Sequence, residues 1–319
     1  MNIVILDGFT LNPGDLSWKG FMQLGNVTVY EHTPTELTVE RAKECEIILT
    51  NKTVLNKETI DLLPKLKYIG VLATGYNVVD ARYAALKGIV VTNIPTYGTD
   101  SVAQYTFALL LQLCHHVKEH SDLVFNGKWS ECRDFCFWNY PLVELSGKTM
   151  GIIGYGRIGK QVGSIARAFG MHLTVHDPKA QSFQEDECIQ WLELNELLQV
   201  SDVVSLHCPL VESNKEIINR QALSKMKPTS FLINTSRGGL INDSDLTDAL
   251  NYNKLAGAAL DVLSSEPPEA NNPLFKAKNC IITPHIAWAS EEARSRLMNT
   301  AVQNLACYLK GNPINVVFE

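Results

Sequence analysis

The chain has 319 residues, 45% hydrophobic and 19% charged, with a formal net charge of -6. That length exceeds the usual single core and predicts two domains, while the acidic balance offers no attraction to nucleic acid or to an anionic membrane surface. Met1 to Asp7 carries no basic leader, its apolar run is too short for a signal peptide, and other apolar stretches break before spanning length, so a cytoplasmic protein without a membrane partner is expected.

Strands are predicted at Asn2 to Leu6, Val27 to Tyr30, Ile47 to Thr50, Tyr68 to Leu72 and Ile89 to Thr92. Helical or turn-rich segments separate them, among them Leu37 to Cys45, Asn56 to Leu63 and Val79 to Lys87. Such alternation implies a parallel sheet. The fourth strand runs into Ala73-Thr74-Gly75-Tyr76-Asn77, at a carboxyl end where open α/β sheets place ligands. An ordinary turn is the alternative.

Asp100 and Ser101 form a candidate N-cap for a helix with Val102, Thr106, Leu109, Leu110, Leu113 and Val117 at helical spacing. The pattern continues to His120, about five turns, and its apolar content suits a helix lying between domains or subunits. His115, His116 and His120 near its end read as solvated or capping residues. His116, His120, Cys132 and Cys136 could gather around zinc, but their spacing matches no standard site and no metal is expected. Phe125 to Pro141 is rich in aromatics without clear periodicity, the composition of a core-covering arm or a subunit contact. The eight cysteines, irregularly spaced, read as reduced thiols.

From Lys148 the pattern becomes regular. Strands are predicted at Thr149 to Gly154, His172 to His176, Asp202 to Leu206, Ser230 to Asn234, Ala256 to Leu260 and Cys280 to Thr283. Gly154, Gly156 and Gly159 follow the first at GxGxxG spacing and lead into a helix-like segment from Arg157 to Phe169. Strand, tight turn and helix together make a site for a pyrophosphate at a helix N-terminus. The second strand ends at Asp177, 18 residues beyond Gly159 and near the offset of a carboxylate that binds ribose hydroxyls. Its charge would repel a 2′-phosphate, which favours NAD over NADP, and Lys179 nearby weakens that preference. A strand-end turn before Pro178 is the plainer reading of Asp177. Ser290 to Leu309 reads as one helix returning to the first domain, followed by an extended tail from Pro313 to Phe318.

Each of the last strands is followed closely by a group suited to chemistry: Arg237, Glu266 and His285. Singly, they read as a surface charge, a loop carboxylate and a strand-end imidazole. Together, at successive carboxyl ends beside a dinucleotide turn, they should face one crevice. Reducing a 2-oxo acid needs a hydride at the carbonyl carbon, a proton at its oxygen and a hold on the neighbouring carboxylate. An imidazolium at His285 can give that proton and take it back. Glu266 would favour the charged ring and fix its orientation. The guanidinium of Arg237 could grip the carboxylate and polarise the carbonyl, with the N–H groups of Ala73, Thr74, Gly75 and Tyr76 on the other carboxylate oxygen.

These segments resemble the D-isomer-specific 2-hydroxyacid dehydrogenase family over essentially the full chain, particularly its glycerate dehydrogenase (hydroxypyruvate reductase) members. The matching motifs are Ala73 to Asp80, Val102 to Thr106, Gly151 to Gly159, Leu206 to Leu210, Asn234 to Gly239, Ala259 to Val262 and Pro284 to Ala289. The resemblance implies catalytic roles for Arg237, Glu266 and His285. It implies cofactor contacts from Gly154, Gly156, Arg157, Ile158, Gly159, Asp177, Cys208, Pro209, Thr235 and Asp261, the last on the nicotinamide carboxamide. It also implies two Rossmann-like, doubly wound parallel-sheet domains. A flavodoxin-like substrate domain would comprise 1–99 and 288–319, interrupted by an NAD-binding domain of 100–287 that includes a dimerisation helix and arm, 101–145. The expected protein is thus a homodimeric NAD-dependent enzyme interconverting hydroxypyruvate and D-glycerate, or a close 2-oxo acid such as glyoxylate. Trp138 and Trp288 would shape the pocket, neither with an assigned contact. A non-catalytic, corepressor-like NAD sensor is the alternative, against which the intact Arg, Glu and His argue.

Overall fold

The computed structural model describes residues 1–178 and 188–317, so Lys179 and Phe318 lie outside the described residues. The chain divides into two compact units, Met1–Gly98 with Ala289–Glu319, and Thr99–Trp288.

The first unit contains β1 (Asn2–Ile5), α1 (Lys19–Met22), β2 (Asn26–Val29), α2 (Thr38–Ala42), β3 (Ile47–Thr50), α3 (Lys57–Asp61), β4 (Tyr68–Val71), α4 (Ala81–Leu86) and β5 (Val90–Thr92). Its sheet is parallel, in the order β2-β1-β3-β4-β5. All four residues of β3 and of β4 are buried, as expected of inner strands covered on both faces. Side chains of Asn56 and Asp80 accept from the N–H groups of Thr59 and Tyr83, which sets where α3 and α4 begin. The buried Asp7 carboxylate accepts from the N–H groups of Asn51, Lys52 and Thr53 and so ties down the loop after β3. Beyond β4, Thr74 is held twice: its hydroxyl donates to Ile94 O at 2.7 Å, and its carbonyl accepts from Asn93 Nδ2 at 2.7 Å.

The second unit contains α5 (Thr99–His115), α6 (Val117–Phe125), β6 (Thr149–Ile153), α7 (Arg157–Ala168), β7 (His172–His176), β8 (Ile189–Trp191), α8 (Leu194–Val200), β9 (Val203–Leu206), α9 (Arg220–Leu223), β10 (Phe231–Asn234), α10 (Asp243–Asn251), β11 (Gly257–Leu260) and β12 (Cys280–Ile282). Its seven strands are parallel in the order β12-β11-β10-β9-β6-β7-β8. Alternate side chains divide the core. Ile152, Val203, Ile233 and Ala259 face α5 and α7, while Ile153, Val204, Leu232 and Ala258 join α8, α9 and α10. The chain then returns to the first unit with α11 (Glu291–Leu309), capped by Ser290. After it Val317 donates to Val91 O, which lays the tail beside β5.

Three expectations are corrected. The sheet of the second unit gains β8, whose three residues are too few to show a strand period. The helix expected to run unbroken to His120 is two helices. His116 adopts φ 47°, ψ 45°, a left-handed conformation that redirects the chain, and no glycine or proline announces it. Finally, α5 starts at Thr99, so Asp100 and Ser101 lie inside its first turn, and the Ser101 hydroxyl donates to Ala287 O at 2.8 Å instead of capping. Among the described residues no helix is long and apolar enough to cross a membrane.

Candidate active site

The register of the second sheet aligns six residues in one row: His176, Ile153, Leu206, Asn234, Leu260 and Ile282. Every candidate cofactor and catalytic residue of this unit lies just past that row or on the helix it feeds, at the carboxyl edge of the sheet. Strand order reverses between β6 and β9, the position where open α/β sheets take their ligands.

At this switch point Gly154 has φ +93°, and a Cβ there would lie 2.6 Å from Cys208 N, so only glycine fits both the turn and the neighbouring loop. At Gly159 a Cβ would lie 2.2 Å from Gly154 O, which brings α7 directly onto the turn. Gly156 is the N-cap of α7, and a Cβ there would meet nothing within 4 Å. Arg157 and Ile158 open the helix, the former exposed and the latter packed against the core. Asp177 follows β7, and its Oδ2 accepts from Tyr155 N at 2.7 Å, which fixes a carboxylate beside the glycine turn. An open helix N-terminus, a backbone that ligand can approach and a carboxylate at the next strand end fit an adenine dinucleotide.

The loop after β9 completes this wall. Burial pushes the Cys208 thiol up to about 11, with the Asp177 charge adding to the rise, so the thiol is protonated at neutral pH and is no nucleophile. Pro209 beside it is exposed. Burial also lowers the preceding His207 to about 3, so its ring is neutral, with Nε2 2.8 Å from Ser205 Oγ. Thr235 is buried. Because the Thr106 hydroxyl donates to Val102 O, the Thr235 hydroxyl is the donor in their 3.2 Å contact.

The chemistry-bearing groups follow β10, β11 and β12. His285 Nδ1 lies 2.6 Å from Glu266 Oε2, and Glu266 Oε1 accepts from Leu263 N at 3.3 Å. This pairing puts the Nδ1 proton toward the carboxylate and leaves Nε2 as the atom that exchanges a proton. Arg237 is exposed, with Nη1 donating to Ser236 O at 2.7 Å. The Arg237 turn meets the Glu266 loop through the backbone. A Cβ on Gly238 would lie 1.8 Å from Leu263 O, so the Arg237 turn presses directly on the loop that carries Glu266.

Sequence reasoning missed the residues that shape these turns. The buried Asn234 accepts from Ser236 N at 3.0 Å and donates to Arg237 O at 2.9 Å. The Ser236 hydroxyl donates to Cys208 O at 2.6 Å, which binds the Arg237 turn to the cofactor-side loop. Asn two residues before Ser was a legible Asx-turn signal. Asp261, only 1% exposed, accepts from Thr283 Oγ1 and from the N–H groups of Ile286 and Ala287. Trp288 Nε1 donates to His285 O at 2.9 Å, whereas Trp138 is 65% exposed. The histidines and cysteines weighed as zinc ligands hold one another differently. His120 places Nδ1 2.9 Å from His116 O and accepts from Asn139 N at Nε2, while Cys132 Sγ points at Cys136 O. Among the described residues no group of three or more His, Cys, Asp or Glu could hold a metal ion.

The family model for the D-isomer specific 2-hydroxyacid dehydrogenase, NAD binding domain, matches residues 107–287. The chain belongs to that family. The dehydrogenase is 52% identical to a hydroxypyruvate reductase of Blautia hydrogenotrophica over 99% of both chains. It is 39% identical to a glycerate dehydrogenase of Methylorubrum extorquens over 89% of both. Its structure is similar to that of D-lactate dehydrogenase from Aquifex aeolicus complexed with NAD and lactic acid, with a TM-score of 0.80 and 28% identity, covering 98% of this chain and 96% of that one. Its cofactor is NAD, bound by the domain that the family model matches.

Proposed function

We propose that the dehydrogenase interconverts hydroxypyruvate and D-glycerate, with glyoxylate as a close alternative substrate. The 2.6 Å pair of His285 and Glu266 beside the Arg237 turn carries the reaction type. The identity with the hydroxypyruvate reductase over nearly the whole chain supports the substrate. Bound NADH supplies the hydride. His285 gives a proton from Nε2 to the carbonyl oxygen, and Glu266 holds the imidazolium through Nδ1. Arg237 grips the carboxylate as a planar fork and polarises the carbonyl. In this reading the unit of Met1–Gly98 with Ala289–Glu319 is the substrate domain. Gly154, Gly156 and Gly159 present the start of α7, with Arg157 and Ile158, to the pyrophosphate. Asp177 takes the ribose hydroxyls, Cys208, Pro209 and Thr235 line the cofactor, and Asp261 reaches the nicotinamide side.

The same reading makes the enzyme a cytoplasmic homodimer. Phe125, Phe135 and Trp138 are 88%, 90% and 65% exposed along α6 and the arm after it, apolar surface of the kind a second copy would cover. Eight free cysteines suit a reducing compartment. The test is NADH oxidation measured against hydroxypyruvate, glyoxylate and pyruvate. Hydroxypyruvate should give the highest kcat/KM. Absence of turnover with any 2-oxo acid would replace this reading with that of an NAD-sensing interaction protein.

A further inference from the structure

Among the described residues His285 is one of six other than glycine with a positive φ, +55°, a conformation that persists when the surroundings enforce it. The enforcing group is on the neighbouring strand. Asp261 follows β11, and its backbone carbonyl accepts from His285 N at 2.7 Å. Its Oδ1 accepts from Thr283 Oγ1 at 2.7 Å and from Ile286 N at 2.9 Å, and its Oδ2 accepts from Ala287 N at 2.8 Å. The left-handed residue is what turns the two following N–H groups onto one carboxylate. The outer side of the segment is held as well, by Trp288 Nε1 on His285 O and Ser101 Oγ on Ala287 O.

We infer that Asp261 is a positioning residue for proton transfer: its buried carboxylate locks the left-handed turn that aims His285 at Glu266 and at the substrate. The inference rests on the reading of His285 as the acid–base group, and it adds a second task to a residue otherwise placed on the nicotinamide side. Burial raises the Asp261 carboxyl above its usual range, opposed by the bonds from Thr283, Ala287 and Ile286 and by the His285 charge. Three donors converge on two oxygens, so an amide at this position turns an NH2 group toward at least one N–H donor and opens the turn.

The variant Asp261→Asn tests this, with Thr283→Val as a milder variant that leaves the carboxylate in place. With NADH and hydroxypyruvate, kcat should fall about 100-fold in D261N, the scale of a small misplacement of a reacting group, with a much smaller change in KM. T283V should lose less, in the same direction. The deficit should persist with the 3-acetylpyridine cofactor analogue, in which a methyl group replaces the carboxamide amino group. A deficit that disappears with the analogue overturns the inference, because Asp261 would then act through the carboxamide alone. The downfield Nδ1–H proton resonance of the His285–Glu266 pair, assigned by its loss in His285→Gln, should weaken or shift in D261N and T283V. An unchanged resonance and unchanged kcat in both variants overturn the inference. A wild-type enzyme that reduces no 2-oxo acid would defeat the proposed function instead, and the resonance would still decide the role of Asp261.

Discussion

The turn after β6 and the ends of β10 to β12 belong to one row of strand ends, yet they are built from different atoms. Around Gly154 the chain offers backbone: a left-handed glycine, the first N–H groups of α7 and one carboxylate fixed at 2.7 Å. Around His285 it offers side chains, each carried on a turn that another residue holds in place. The first arrangement suits a ligand bound and released unchanged at its phosphates. The second suits a reacting centre, where small displacements cost rate. Affinity and turnover should therefore be separable by mutation at the two places.

The largest effect that would sharpen this contrast is expected at Gly238, where backbone meets backbone. In Gly238→Ala the new methyl group overlaps Leu263 O, which a flexible side chain cannot relieve. About 3 kcal/mol of stability should be lost, lowering Tm by roughly 6–12 °C. In what remains folded, kcat should fall more than NADH affinity, because the Arg237 and Glu266 loops are forced apart. A Tm unchanged by calorimetry would mean that this contact is not tight. A smaller effect is expected at Asp177→Ala. NADH should bind about tenfold more weakly, equivalent to about 1.4 kcal/mol, and NADPH should be better tolerated, with kcat little changed. An unaltered NADH to NADPH preference in equilibrium titrations would remove Asp177 from the ribose and blur the contrast from the binding side.

Much of this organisation was legible in the residues. Buried parallel strands such as Ile47–Thr50 and Phe231–Asn234 are short apolar runs bounded by turn residues, so their places stand out. Glycine spacing marked the turn because its requirements are local: a positive φ and room for a neighbouring backbone. The break at His116 was invisible, since nothing in a His-His pair forbids continuing the helix. Edge strand β8 was too short for its pattern to register. The supporting residues around the catalytic candidates were the hardest to see. Gly238 matters through Leu263, and Asp261 through Thr283, Ile286 and Ala287. Their tasks depend on partners that only the register of β10, β11 and β12 brings alongside.

The division of labour between the two ends of the row is tested most directly at His285→Ala, with kcat for hydroxypyruvate reduction and the NADH dissociation constant measured on the same preparation. The expected result is a fall in kcat of about 10² to 10⁴, the scale of a lost general acid, with NADH affinity held within about twofold, less than 0.5 kcal/mol. A variant that keeps wild-type turnover, or that loses turnover and NADH binding in equal measure, would contradict the account.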